Sequence, residues 1–447
     1  MPIVEFETAA GYRLLINARR EATSVMVNNR LALNYDREGR LTGAWIEGRN
    51  YRRSLDNRVI EKQEGPQPGL SYRVRRELPP NAARDFLAGV HARIVEYRAA
   101  LRDPATQVVG SPASADCDTV RDALDRVFDC DLERLDRDRA TFNLIYKPVN
   151  ILPPDQYLAL VLQATEGCSY NHCAFCGFYR DRTFRIKRLD EFKQHIRDVR
   201  SFFGGAISNR KSIFLADANA LIIPQAQLLP IFDAINAEFA LHPRKVRGVY
   251  DPRKVRGVYD PRGLDRDALK TWEAQHPIHF DGIYSFIDAF ATRRKSAREF
   301  EELAERGLRR VYIGLESGDA ELLKFLGKPN TPDDVRQLVC HVKAGGVAVG
   351  LVILAGAGGD RYAEQHVKHT AELINAMPLD SDDLVYFSEL VDYPGSEYSA
   401  RAVEAGIRPL SIEEIEHQMA QMRAAFQFGN RERSPKVSYY DIREFIY

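Results

Sequence analysis

Three cysteines stand within nine residues of one another, in the run Gly167-Cys168-Ser169-Tyr170-Asn171-His172-Cys173-Ala174-Phe175-Cys176. Thiolates are soft ligands, and three on one loop can hold three corners of a cubane iron–sulfur cluster. The fourth iron has no cysteine in this loop and stays open to an exogenous ligand. An open iron is what a cluster needs if it is to act on a bound molecule as well as pass electrons. Two other readings use the same residues. Cys168, Cys173 and Cys176 with His172 could make a Cys3His zinc site. Against this, His172 abuts Cys173, and the two separated ligand pairs of a structural zinc site are not both present. The cysteines could also be buried and bind nothing. The other three, Cys117, Cys130 and Cys340, are scattered singly, and Cys340 lies in a helical pattern where a small apolar residue suits the core.

The elements that must position the loop follow from patterning. An apolar run, YLALVLQA at 157–164, precedes it and reads as a buried strand. Strands are expected at 158–164, 212–216, 282–288, 310–315, 347–354 and 383–388. Helices are expected between them, near 188–203, 224–240, 295–306, 332–344 and 361–376. Strands alternating with crossover helices imply a parallel sheet, and VAVGLVIL at 347–354 is apolar throughout, as when both faces are covered. A partial (β/α)6 barrel and a doubly wound open sheet both accommodate this pattern. In either, ligands bind at the carboxyl ends of the strands.

Before this region, residues 1 to about 75 read as β-rich and 80–138 as helical, with a Ser/Pro/Ala-rich loop near 103–115. No cofactor motif occurs there. The expected division is 1–150 as an accessory or substrate-capping domain, 151–400 as the core, and 401–447 as a C-terminal helix and tail packing on it.

The cysteine loop resembles that of radical S-adenosylmethionine (radical SAM) enzymes, in which an aromatic residue precedes the third cysteine, as Phe175 does. The family commonly has three residues between the first two cysteines; this chain has four. The resemblance covers roughly 155–425 and is nearest to the branch with oxygen-independent coproporphyrinogen oxidases and elongator-type tRNA-modifying enzymes. It implies an α/β partial (β/α)6 TIM-like barrel and two cofactors, a [4Fe-4S] cluster on Cys168, Cys173 and Cys176 and S-adenosyl-L-methionine. Reductive cleavage would give a 5′-deoxyadenosyl radical that abstracts hydrogen from a substrate. The resemblance places Asp217 and Asn219 at the SAM amino group, and Glu316 and Ser317 after the fourth strand. It places Ile353 and Gly356 in the glycine-bounded adenine strand end, with Glu364 beyond. Tyr386 lies on the sixth strand, before Tyr393-Pro394-Gly395-Ser396. Glu316 is expected to serve the SAM site and not the structural core. Asp288, Glu389 and Asp392, near strand ends, are candidate acid–base groups on the substrate side, with Asp288 and Glu389 foremost.

Composition agrees with a cytoplasmic enzyme of 447 residues, in which 63 basic residues balance 63 acidic ones. No run is long and apolar enough to span a membrane, and the first residues do not read as a signal peptide. Partners implied are a small-molecule substrate in preference to nucleic acid, and a one-electron reductant such as flavodoxin or ferredoxin. One internal repeat stands out: KVRGVYDPR fills 245–253 and again 254–262. Its basic and aromatic residues interleave, which can serve single-stranded nucleic acid, although a duplicated surface loop explains it as well. The run Arg180, Arg182, Arg185, Lys187, Arg188 could bind an anionic substrate or solvate a helix entry. A zinc-stabilised RNA-binding protein and an electron-transfer iron–sulfur protein remain the alternatives from other classes.

Overall fold

The computed structural model describes residues 2–63, 74–110, 112–243, 266–290, 295–393, 395–429 and 434–447. The tandem repeat at 245–262 lies outside them. The chain forms two compact units: Met1–Leu152 with Arg197–Arg210 and Arg443–Tyr447, and Pro153–Ile196 with Lys211–Ile442.

In the first unit, nine strands form one antiparallel sheet. They are β1 (Ile3–Glu7), β2 (Arg13–Ala18), β3 (Ala22–Val27), β4 (Leu31–Asp36), β5 (Leu41–Ile46), β6 (Arg49–Arg53), β7 (Val59–Gln63), β8 (Val74–Glu77) and β9 (Gln107–Val109). The order is β8-β7-β6-β5-β4-β3-β2-β1-β9, a meander closed by β9 returning beside β1. Alternation along β2 buries Leu14, Ile16 and Ala18 on one face, the pattern of a sheet covered on one side. Residues of α1 (Pro80–Arg102), α2 (Ser114–Asp129) and α3 (Leu132–Ile145) share one apolar core with that face, among them Leu87, Val90, Val120, Leu124 and Leu135.

The second unit carries the cysteine loop. Its main sheet is parallel throughout, in the order β10 (Ala159–Gln163), β13 (Ser212–Ala216), β14 (Ile283–Phe286), β15 (Leu308–Glu316), β16 (Ala348–Ala355), β17 (Leu384–Glu389), β18 (Lys436–Tyr440). Every residue of β10 and β13 is buried, as expected of strands covered on both faces. Helices α4 (Leu189–Phe203), α5 (Gln225–Glu238), α6 (Arg266–Gln275), α7 (Ala297–Glu305), α8 (Ala320–Phe325), α9 (Pro332–Ala344) and α10 (Gly359–Asn375) fall between the strands. Two more, α11 (Glu397–Glu404) and α12 (Ile412–Ala425), lie between β17 and β18. The six strands and five helices expected from periodicity all form. The seventh strand, β18, was not foreseen: its run, Lys436-Val-Ser-Tyr-Tyr440, is too short and mixed to announce itself.

The sheet is curved. Asp155, just before β10, accepts hydrogen bonds from Tyr312 on β15 (2.5 Å) and from Tyr386 on β17 (2.9 Å), and pairs with Arg310 (2.9 Å). In a flat sheet the first and sixth strands would stand about 24 Å apart, at ~4.8 Å per neighbour. One carboxylate can meet both only if the strands wrap around it. Asp155→Ala would leave Arg310 and two buried hydroxyls without their acceptor. We expect a loss of about 3–5 kcal/mol in chemical denaturation, with Asp155→Asn losing less, because an uncompensated buried charge is the costly element.

Candidate functional site

The cysteine loop leaves the carboxyl end of β10 and is braced at its base. Two short strands, β11 (Thr165–Glu166) and β12 (Arg185–Ile186), pair across it, and the Arg185 guanidinium forks onto the Glu166 carboxylate at 2.9 and 3.1 Å. Gly167 turns the chain with φ +76°, a left-handed value that suits glycine, and its N–H donates to Asp217 at 2.9 Å. Within the loop Asn171, also left-handed, donates through its side chain to the Tyr179 carbonyl, and its N–H faces the Cys168 sulfur at 3.4 Å. Arg180 donates to the carbonyls of both Cys173 and Cys176 at 3.0 Å. A second segment supports the loop from the side. Ala174 N–H donates to Leu326 O, Tyr170 donates to Gly327 O, and Tyr398 N–H donates to Ala174 O. Gly327 has φ +70°, and a Cβ there would stand 3.2 Å from His172 O, so the close approach needs glycine.

All three cysteines of the loop are free and half-buried. Burial pushes the Cys173 thiol up to about 12 and the Cys176 thiol up to about 11, and raises Cys168 as well. The negative charges of the neighbouring cysteines and of Asp288 and Glu316 add to this, while the Lys328 ammonium works against it for all three. Thiols so placed become ligands when a positively charged group meets them and displaces their protons. By chemistry the donor set suits a metal cluster, with soft sulfur from one braced loop and no competing hard ligand among the three. Among the described residues, no three His, Cys, Asp or Glu side chains gather around a single-ion position. His172 is exposed, and its ring lies edge-on to Tyr170 at 5.4 Å.

Lys328 is the residue that sequence reasoning missed. It follows Gly327 after the short helix α8, and its Nζ lies 2.9 Å from Gly314 O, 3.2 Å from Glu316 Oε1 and 3.9 Å from Asp288 Oδ1. The carboxylates raise its affinity for the proton, against the desolvation that opposes it. Glu316 has φ +57° at a break in the β15–β16 register, so its side chain turns back over the strand. A Cβ on Gly314 would sit 2.3 Å from Glu316 Oε1 and 3.1 Å from Lys328 Nζ; the bare glycine makes room for the pair. Burial pushes the Asp288 carboxyl up to about 6, with Lys328 lowering and Glu316 raising it. The only sequence signal for Lys328 was a Gly-Lys-Pro-Asn turn, which periodicity cannot distinguish from any other loop.

The structure thus brings Cys168, Cys173, Cys176, Asp288 and Glu316 into one electrostatic neighbourhood. Asn219 joins them: it is fully buried, and its Oδ1 faces the Asp288 N–H at 3.4 Å. Phe175 packs against the apolar group of Leu322, Leu326, Leu354 and Tyr398. Ile353 is buried beside Glu316 in the ladder, and Gly356 ends that strand with φ +80°. Glu389 is half-buried and accepts from Tyr439 at 3.3 Å. Other expected residues are engaged elsewhere. Glu316, expected to serve the SAM site and not the structural core, is a buried ion-pair partner of Lys328. Ser317 gives its hydroxyl to His366 Nδ1 (2.8 Å) and accepts from Asp319 N–H. Asp217 is taken by Gln163, Gly167 and Arg182, and burial raises its carboxyl to about 6. Tyr386 reaches away to Asp155 at the amino side of the sheet, and Asp392 caps the turn at Ser396. Glu364 is exposed on α10. The basic run is internally paired: Arg182 with Asp217, Arg185 with Glu166 and Glu191, Lys187 with Glu166, and Arg188 with Asp190.

No family model matches the chain, and no curated protein matches it. Solved structures do. The cobalamin-dependent S-adenosylmethionine radical enzyme OxsB, with aqua-cobalamin and S-adenosylmethionine bound, matches at 15% identity and TM-score 0.33, over 60% of this chain and 31% of that one. Coproporphyrinogen III oxidase (HemN) from Escherichia coli, described as a radical SAM enzyme, matches at 14% identity and TM-score 0.37, over 60% of this chain and 52% of that one. The archaeal Methanocaldococcus infernus Elp3 matches at 10% identity and TM-score 0.34, over 63% and 56%. This chain spans about a third of the length of OxsB and about half of the oxidase. These are what the chain is similar to.

Two outcomes follow. Lys328→Met would leave Glu316 and Asp288 buried without their cation, and we expect a loss of about 3–5 kcal/mol in chemical denaturation at neutral pH. His366 gives a pH signature. It is fully buried, donating from Nε2 to Leu354 O, and burial lowers its pKa from 6.5 to about 4. The native state holds it neutral while the unfolded chain takes up a proton below 6.5. Stability should therefore be intact above that pH and fall as pH drops from about 6.5 to about 4, by up to about 3 kcal/mol. Denaturation midpoints across that window should show a shallower fall in His366→Gln than in wild type.

Proposed function

We propose that the chain is a radical SAM enzyme acting on a small-molecule substrate. The observation that carries this reading is the braced loop of three thiols beside the Lys328, Glu316 and Asp288 group, all at the carboxyl ends of parallel strands. Cys168, Cys173 and Cys176 would hold a [4Fe-4S] cluster and leave one iron open. Bound and reduced, the cluster would supply one electron for cleavage of S-adenosylmethionine, from which hydrogen abstraction on a substrate starts. The residues supply everything else. Arg180 ties down the backbone carbonyls of two of the three cysteines. Lys328 offsets the negative charge that three thiolates and two carboxylates would otherwise accumulate. Glu316 and Asp288 are the acceptors nearest to a cationic or hydroxylated ligand, and Glu389 stands as a second carboxylate at the end of β17.

The core would be a partial (β/α)6 barrel, a reading supported by the shared Asp155 hydrogen bonds across the sheet. Residues 1–150 would form an accessory or substrate-capping domain and 401–447 a C-terminal segment of the core. A one-electron reductant such as flavodoxin or ferredoxin and a cytoplasmic setting complete the proposal. No helix among the described residues is long and apolar enough to cross a membrane.

Iron and sulfide per chain after anaerobic reconstitution test the proposal. Cys168→Ala, Cys173→Ala and Cys176→Ala should each lose the cluster, whereas Cys117→Ala, Cys130→Ala and Cys340→Ala should retain it. His172→Ala should keep its iron and still cleave SAM. Loss of metal in that variant would revive a Cys3His zinc site, and equal loss across all six cysteines would overturn the ligand assignment.

A further inference from the structure

Tyr398, in the first turn of α11, is bonded at both of its ends to segments that border the site. Its backbone N–H donates to Ala174 O, between Cys173 and Cys176, at 3.2 Å. Its hydroxyl accepts the Gly358 N–H at 2.9 Å, just beyond the carboxyl end of β16. The ring between them is 5% exposed, meets Phe325 of α8 edge-on at 5.7 Å, and shares an apolar group with Ala174, Leu322, Leu326 and Ala357. One residue therefore spans from the cysteine loop to the turn after β16.

The apolar core needs only the ring, which a phenylalanine would supply as well. The hydroxyl has its reason in the turn. Gly356, Gly358 and Gly359 have φ of +80°, +77° and +53°, three left-handed residues in a run of four. Without Cβ atoms such a stretch has many other conformations open to it, so its shape must be fixed from outside. Three contacts do this: the Tyr398 hydroxyl on the Gly358 N–H, Gln418 Oε1 on the Gly356 N–H at 2.8 Å, and Arg408 O on the Asp360 N–H at 3.0 Å. Tyr398 differs from the other two in also holding the cysteine loop. The rest of α11 strengthens that hold. Glu397 lies 3.6 Å from Arg180, the residue that donates to the Cys173 and Cys176 carbonyls. Arg401 donates to Phe325 O at 2.8 Å, at the end of α8 that leads to Lys328.

We propose that Tyr398 is a positioning residue that sets the separation between the cysteine loop and the Gly356–Gly359 turn. It touches no ligand itself. Its hydroxyl acts through the turn and its backbone through the loop, so a ligand held between them meets a site of fixed width. The inference rests on the radical SAM reading, in which that ligand is S-adenosylmethionine.

The test uses the anaerobically reconstituted holoenzyme, with SAM as the probe in equilibrium dialysis and no turnover required. Tyr398→Phe keeps the ring and the bond to Ala174 and removes only the acceptor for Gly358. Its iron and sulfide should match the wild type, while SAM should bind about fivefold or more weakly. The electron paramagnetic resonance of the reduced cluster, recorded at one subsaturating SAM concentration, should respond less in this variant than in the wild type. Ala402→Gly weakens the same helix without removing either bond, and should bind SAM as the wild type does even where its melting temperature falls as far. If Tyr398→Phe binds SAM as tightly as the wild type, loses its iron, or is matched in its binding loss by Ala402→Gly, the hydroxyl does no positioning and the inference is overturned. If the wild type holds its cluster and binds no SAM, the radical SAM reading itself falls, and this inference with it.

Discussion

One buried ammonium organises the second unit. Lys328 is 8% exposed and sits among a carbonyl, two carboxylates and three thiols. Carboxylates in such a setting would protonate or be expelled without a cation, and an ammonium without carboxylates would lose its proton. Burial pushes the Asp288 carboxyl up to about 6 while Lys328 pulls it down, and the carboxylates raise the Lys328 ammonium against its desolvation. The fold contributes the means: α8 is only one and a half turns long, and the glycine that ends it lets the following lysine turn back against the cysteine loop. The same turn accepts the Tyr170 hydroxyl and lies beside the Ala174–Leu326 hydrogen bond, so the cation and the loop are positioned by one piece of backbone.

The parallel sheet was legible in the sequence because its strands are apolar on both faces and several of its helices carry strong start signals. The capping boxes at Ser296, Thr331 and Ser411 are of that kind. Cys168, Cys173 and Cys176 were legible because sulfur is rare and its spacing is local. What was not legible depends on pairs distant in sequence. Whether Ser317 faces a ligand or His366 is decided by a contact 49 residues away. Tyr386 was expected at the site end of its strand, yet its long side chain reaches the opposite end, toward an aspartate 231 residues earlier. Strand-end position tells where a backbone stops and not which way a side chain leans.

The charged run after the cysteine loop shows the same limit from the other side. Five basic residues within nine positions suggested an anion site. Their partners lie outside the run: Glu166 before it, Asp190 and Glu191 just after it, and Asp217 35 residues beyond Arg182, and they convert the run into ladder-end bracing. Arg180 is the exception in role: it spends its guanidinium on the carbonyls of two cysteines, with Glu397 at 3.6 Å.

The space above Gly314 has an evolutionary meaning. Glu316 folds back over that glycine to reach Lys328, so the three positions share one volume. A side chain at 314 evicts the carboxylate, a shorter acid at 316 no longer spans the gap, and a neutral residue at 328 leaves the acid without a counter-charge. Substitution at any one is tolerable only if another changes with it. Among relatives of this chain the three should drift as a set, and a lineage with alanine at 314 should have surrendered the acid and the lysine together.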